Sequence, residues 1–427
     1  MKLWSAGILA VSCAALAACG GNDNAEGETS GNNGGGEDGE ETVVRVWFGR
    51  EDFIPADNFE QFHEDNPDIR VETDVVPLEQ AVSDFMRNHS AGNDPDIVQV
   101  FHDNVGTMVS QGTLMEMDEY IAQWQEEDPE SFDKILDQAW DIAGWEDTSY
   151  GMGIHVGPYW HVYRQDWFEE ENLEIPENYD QLLDAARTLD NDERDGYAIV
   201  GGREHPAWWL STLFVSMGGE YSDSGLPQLD TEAGHYLIEF YQTLMAEELI
   251  DPSAISWSSG EMRGAFIGGN AAMAPIGDNI FPLIQEEMEY GEEWTAAPQP
   301  ARPGMEGENE HELWGWPMMV SSNTEHPEEV MEVFKYLSDS EIVSEVANRY
   351  QPTTNQEVMS SDEYQEAKPW AADFEEAFAE AIIMPSHINQ GEVHQILLDV
   401  MQEALQNPER DAEEIAQEFQ PELDALD

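Results

Sequence analysis

The chain has 427 residues and carries 91 Asp plus Glu against 16 Lys plus Arg, a formal net charge of −75. That balance excludes nucleic acid as a partner, because binding it requires cations to neutralise phosphates. With 41% hydrophobic residues and 14 Trp, and with acids spread along every segment, the chain is long and apolar enough for two lobes of ordinary size. Self-repulsion of such a surface is screened within about 3 Å at 1 M salt and reaches about 10 Å at 0.1 M, so the composition reads as adaptation to high salt, with an alkaline habitat as the competing source.

Residues 1–19 read as an export signal. Met1-Lys2 opens it, Leu3 to Leu16 is an apolar run too short to span a membrane permanently, and Leu16-Ala17-Ala18-Cys19 has the lipobox pattern. Cleavage before Cys19 would leave a thiol for a diacylglycerol, so attachment through lipid replaces insertion. An ordinary secretory signal ending near Ala18 is the alternative. Residues 20–42 are Gly, Asn, acidic and Ser/Thr-rich, a disordered leash that cannot bury enough surface to fold. Cys13 lies in the signal and Cys19 is consumed by lipid, so the mature chain has no disulfide, thiolate metal site or cysteine nucleophile. No later stretch is apolar for eighteen residues.

After the leash, Thr42 to Phe48 is β-branched and aromatic, a strand. Pro55 to Asp65 follows as a helix, Ile69 to Val76 as a strand, Leu78 to Ser90 as a helix and Ile97 to Phe101 as a strand. Such alternation builds a mostly parallel sheet with helices on both faces, in which ligands approach the carboxyl ends of strands. Trp47 to Asp52 and His102-Asp103-Asn104 sit at two such ends. Asp103 to Gln111 and Glu116 to Glu126 read as helices separated by Gly112. Tyr150 to Val162 is extended. Helices then dominate at Tyr179 to Leu189, Trp208 to Met217, Thr231 to Glu248 and Gly260 to Ile267. Short strands are expected at Ala271 to Ile276 and Trp294 to Ala297, a Pro/Gly-rich connection at Pro298 to Glu310, and one apolar strand at Leu313 to Ser321. From Asp373 the tail is helical, interrupted near Pro385. No fixed-period repeat is present, which argues against a solenoid or propeller.

Several segments, in order, carry a resemblance. They are Phe59-Glu60-Gln61-Phe62 with Asn66-Pro67-Asp68-Ile69, Ala91-Gly92-Asn93-Asp94-Pro95-Asp96-Ile97-Val98, Gly112-Thr113-Leu114, Tyr150-Gly151-Met152, Asp166-Trp167-Phe168, Phe266 to Met273 with Gly277, and His326-Pro327-Glu328-Glu329 opening Val333 to Leu337. From about residue 43 to the C-terminus the chain resembles the family 1 extracellular solute-binding proteins of ABC importers, the group with maltose- and oligosaccharide-binding lipoproteins. The resemblance implies an α/β, two-lobe periplasmic-binding-protein-like fold of type II with the ligand in a cleft between lobes. It implies crossings near His155, Gln299 and Gln351, with lobe 1 formed by 43–155 and 299–352 and lobe 2 by 156–298 and 353–427. It also implies contacts from Trp47, Glu51 and Asp103 on the first lobe and from Tyr159, Trp208 and Asn279 on the second, with Trp314 and Trp316 after the second crossing. Many relatives have Trp where this chain has Asn279.

The residue types suit sugars, whose C–H faces stack on aromatic rings and whose hydroxyls need carboxylates, amides or Arg. Each residue also has an ordinary role: a Trp in the core, Asp103 as the N-cap of the following helix, Arg50 paired with a carboxylate rather than gripping an acidic sugar. Trp209, beside Trp208 on a helix, is expected in the core.

The expected function is capture of a carbohydrate by an extracytoplasmic, lipid-anchored, monomeric binding protein. It would deliver the sugar to ABC permease subunits served by a separate ATPase, with no cofactor, metal or catalysis. A non-sugar solute in the same fold is the alternative. A surface glycoside hydrolase needs two carboxylates about 5 to 9 Å apart, a condition so many acids meet by chance; no nucleophile elbow, His-Glu-x-x-His helix, P-loop or dinucleotide fingerprint is present. His102, Asp103 and His394 lack metal-ligand spacing, and no EF-hand-type loop supports a calcium-binding adhesin.

Overall fold

The computed structural model describes residues 41–427 apart from 56, 203–205, 309, 350–351, 372–376 and 379; the signal, Cys19, the leash through residue 40 and Gln351 lie outside the described residues. Among these the strands, in chain order, are β1 Thr42–Phe48, β2 Ile69–Val75, β3 Ile97–Gln99, β4 Gly144–Trp145, β5 Thr148–Ser149, β6 Gly151–Met152, β7 Val156–Tyr163, β8 Met273–Gly277, β9 Thr295–Ala297, β10 Glu312–Gly315, β11 Met318–Val320 and β12 Ile382–Ile383. One sheet has the order β2-β1-β3-β11-β6 and a second β12-β10-β7-β8, with β9 also on β7; β4 and β5 form a separate hairpin.

In the first sheet β1 pairs in parallel with β2 and β3, and β11 runs antiparallel to β3 and β6. The alternation in β1 sends Val44, Val46 and Phe48 into one core with Phe59 and Phe62, while Trp47 packs on the opposite face against the cluster of Ala81, Phe85 and Val98. The motif Asp94-Pro95-Asp96 ties this lobe together. Asp96 accepts from the Arg45 amide at 2.8 Å and the Thr324 hydroxyl at 2.7 Å, and Asp94 accepts from Ser321 and Asn323.

Two expectations change. The helix read over Pro55 to Asp65 begins only at Glu60, because Asn58 and Phe59 adopt left-handed backbone with φ of 49° and 65° while the Asp57 carboxylate accepts from the Phe59 and Gln61 amides. The single strand read over Leu313 to Ser321 is two strands in different sheets. β10 pairs with β7 and β12, and β11 pairs with β3 and β6. Between them stand Trp316 and Pro317, and proline has no N–H with which to continue a ladder.

The chain therefore passes between sheets at 153–155, at Trp316–Pro317, and again after the helices of residues 327–349. Gln299, where the second passage was expected, is bonded within the second lobe, its amide donating to the Tyr159 carbonyl at 3.1 Å. The third passage is paired with the first: Thr354 N donates to Ile154 O at 3.0 Å and His155 bridges Thr353. The second lobe's helices, Tyr179–Leu189, Pro206–Ser216, Glu232–Ala246, Gln390–Gln406 and Ala412–Asp424, build a largely separate apolar core.

Beside these passages Asp278 and Lys368 are buried together and electrostatically coupled. Burial pushes the Asp278 carboxyl up to about 7 and the Lys368 ammonium down to about 8, each opposed by the other's charge. The Lys368 ammonium also lies 5.5 Å from the Tyr364 ring centroid. Removing the Lys368 charge leaves the buried Asp278 carboxyl without the ammonium that opposes its desolvation. Lys368→Met is expected to destabilise the protein by about 3–5 kcal/mol in denaturant unfolding, and Asp278→Asn added to it to restore most of that loss. A double variant no better than the single would show that the two groups do not offset each other.

Candidate ligand-binding cleft

The second sheet carries its functional side chains by register. Trp314 in β10 lies opposite Gly157 in β7, and Tyr159 lies opposite Gly277 in β8. Tyr159 and Trp314 are thus diagonal neighbours on one face, and their rings stack at 4.8 Å with an interplanar angle of 15°. Gly277 permits the stack: a Cβ there would stand 3.1 Å from both rings and 2.7 Å from the Asn279 Oδ1. The belt continues through Trp209 on Tyr159, Trp316 edge-on to Trp314, and Phe101 on Trp208 at 4.6 Å.

These rings line a cavity of about 340 Å³ between the two lobes, which Arg50, Glu79, Met262, Arg263 and Asn279 also line. Of the residues singled out from sequence, Arg50, Tyr159, Trp208, Asn279, Trp314 and Trp316 come together here. Trp47 faces the helix Leu78–His89 instead, and Glu51 is exposed outside the lining. Asp103 is buried behind the wall rather than in it. It does not cap the following helix; its Oδ2 accepts from the Trp208 indole at 2.8 Å, and the His394 Nε2 is 3.4 Å from the same oxygen. Arg50 is held by Asp52 in a two-pronged ion pair at 2.9 and 2.6 Å.

Phe101 and Arg263 line the cleft without having been singled out from sequence, and Trp209, expected in the core, also forms part of the cleft wall. Trp209 shares the wall with Trp208 because its indole donates to the Pro275 carbonyl of β8 at 3.0 Å, which turns the ring toward Tyr159. Arg263 carried one signal, a cation in a chain with 91 acids.

A larger hollow of about 1500 Å³ lies on the other side of β7, lined by Trp160, Asp278, Tyr364, Trp370 and Phe378 among others. Its lining includes Ala371 and Phe378. The smaller cleft alone combines stacked aromatic faces with polar groups from both lobes, which decides the choice of site.

The helix Pro206–Ser216, which carries Trp208 and Trp209, is pinned to β10 by a buried carboxyl. Glu312 accepts from Ser211 at 2.9 Å and from Thr212 at 3.2 Å, and Ser211 also meets the Tyr221 hydroxyl at 2.6 Å. Burial pushes Glu312 up to about 8 although both hydroxyl donors act to lower it. Since the folded protein then holds this proton more tightly than the unfolded chain, the contribution is whole below about 4.5 and is lost as pH rises through about 8. Glu312→Gln has no proton to lose, so its melting temperature relative to the parent is expected to climb between pH 5 and 8.5. A difference that does not vary with pH would mean that Glu312 is not held protonated.

Hydrogen bonds that join the lobes on one side of the cleft include Trp208 to Asp103, the Thr107 hydroxyl to the Ile388 carbonyl at 2.9 Å and the Gly315 amide to the His102 Nδ1 at 3.4 Å. Among the described residues no helix is long and apolar enough to cross a membrane, and no cluster of three or more His, Cys, Asp or Glu is placed to hold a metal.

The comparisons agree with the two-lobe architecture. The chain is 24% identical over 237 residues to a putative ABC transporter periplasmic-binding protein, YcjN, of Escherichia coli strain K12, covering 53% of this chain and 52% of that one. It spans about half the length of the curated relatives it matches. The maltose-bound MalE3 of T. maritima superimposes with a TM-score of 0.76 at 19% identity, over 90% of this chain and 100% of that one. The sugar-binding protein MalE of Xanthomonas citri gives 0.77 at 16% identity, over 90% and 97%. These likenesses show the two-lobe fold. The profile of the bacterial extracellular solute-binding proteins matches residues 50–343, well over half of the chain, and the protein belongs to that family.

Proposed function

We propose that this protein captures a carbohydrate between its lobes and hands it to the permease of an ABC importer, without chemistry on the sugar. The observation that carries the reading is the aromatic belt of the cleft, in which the stacked Tyr159 and Trp314 are flanked by Trp316, Trp209 and Trp208. Flat apolar faces of that size suit the C–H surfaces of sugar rings. Two of the structural neighbours support it in kind, one solved with maltose and one described as sugar-binding. Closure follows from differential contact: a solute touching both lobes favours the closed arrangement by the contacts it makes only there. Asp103 acts through Trp208, fixing the ring by its indole N–H.

Titration calorimetry with a panel of mono- and oligosaccharides at 1 M NaCl is the test. A ligand should appear, and Trp314→Ala should weaken it by about 1–3 kcal/mol while the protein stays folded. Asp103→Asn, which keeps an acceptor for Trp208, should weaken it less than Asp103→Ala. Unaltered affinity in folded Trp314→Ala would remove the belt from the binding site.

The lipobox ending at Cys19 and the polar leash behind it support anchoring outside the cytoplasm by lipid. Cys19→Ser is expected to release the protein from the membrane fraction of expressing cells. Full retention of that variant would contradict the anchor.

A further inference from the structure

The cleft wall holds a cation that has no carboxylate partner among the described residues. Among the described residues nine Lys and Arg side chains have a carboxylate within 4 Å, as expected of a chain so rich in acids. Arg263 has none, although it is half-buried in the cleft wall. Its guanidinium folds back along its own helix, Ser259–Ile267: a Cβ on Gly260 would lie 3.9 Å from the Arg263 Nη2. That places a cation at the helix N-terminus, where the helix dipole already favours negative charge, and Ser259 of the same turn also lines the cleft. The nearby carboxylate of Glu261 is committed to the capping box, accepting from the Ser258 amide at 2.8 Å and hydroxyl at 3.0 Å.

The other polar groups lean the same way. The indole N–H groups of Trp314 and Trp316 are buried without an acceptor, and an indole can only donate. Arg50 is occupied by Asp52, Asp103 by Trp208 and Asn104, and the one carboxylate in the lining, Glu79, is exposed on the opposite lobe. On the second lobe's side of the cleft the one charged group in the lining is the Arg263 guanidinium at a helix N-terminus, which calls for an acceptor-rich, anionic partner.

We infer that the solute carries a carboxylate or phosphate that seats on Arg263 at the start of the helix Ser259–Ile267, so that the cleft takes an acidic sugar or a phosphorylated sugar or polyol. The inference rests on the sugar-binding reading above and narrows it. Arg263 is its specificity residue, and the aromatic belt holds the ring or carbon chain of the same molecule.

The experiment compares matched probes by calorimetry and thermal shift at 1 M NaCl: glucose, glucuronate and glucose 1-phosphate; maltose and digalacturonate; glycerol and glycerol 3-phosphate. At least one acidic member should bind about tenfold or more tightly than its neutral counterpart, and whether the carboxylate or the phosphate series does so identifies the anion. Arg263→Gln should abolish that preference while its ligand-free melting temperature stays at the parent value, and Arg263→Lys should retain part of it. Binding of neutral probes with rejection of the acidic ones would overturn the inference and leave the carbohydrate reading standing. No binding in either series would overturn both. Equal loss for acidic and neutral probes in Arg263→Gln would assign the residue to lobe closure through Glu79 and would also overturn the inference.

Discussion

The cleft depends on one short piece of chain, Glu312 to Val320, being shared between two sheets. A continuous strand here would place Trp314 and Trp316 along one ladder. Instead β10 ends at Gly315 and β11 begins at Met318, in different lobes, with Trp316 and Pro317 at the passage. Gly315 is part of the same constraint, since a Cβ there would come within 2.8 Å of the His155 carbonyl on the neighbouring passage. Close approach of these crossing segments sets how the second sheet meets the first, and so brings Trp314 beside Tyr159 and Trp316 beside Phe53.

The chain uses its acids in two ways. Most stand in solvent, where their mutual repulsion depends on salt and favours no particular structure. A few are buried and act as fasteners: Asp94 and Asp96 in the first lobe, Glu312 between β10 and the Trp208 helix, Asp103 behind Trp208, and Asp278 opposed to Lys368. A buried carboxyl adds little net stability, but it fixes geometry because its removal leaves specific donors or charges without a partner. Glu312, Asp103 and Asp278 lie at the cleft or the passages between lobes, whereas Asp94 and Asp96 fasten the opposite end of the first sheet.

The contacts between lobes share that logic. Trp208 touches Asp103 across the cleft while forming part of its wall, so the ring belongs both to the surface that meets a solute and to the seam that closes over it. Displacing that ring alters wall and seam together, which couples occupancy of the cleft to the relative position of the lobes.

The local periodicity of the sequence determined most elements. The strands at 42–48 and 69–75 and the helices at 78–89 and 179–189 form nearly where β-branched alternation and helical spacing predict, because each buries one face against its own lobe. Ordered motifs from Phe59 to Leu337 carried the family and its two-lobe fold, the resemblance they make pointed to Tyr159, Trp208 and the two tryptophans after residue 313, and the end of the first strand pointed to Arg50. Contacts distant in sequence decided the rest. Trp47 and Arg50 lie three residues apart, yet the β1 pleat and the helix on its far face bury one and leave the other at the cleft. Asp103 reads as a helix cap until Trp208, 105 positions away, takes its carboxylate. Arg263 looks like any cation among 91 acids, and only the packed structure shows that no carboxylate among the described residues pairs with it, because which charges meet is set by the fold and not by composition.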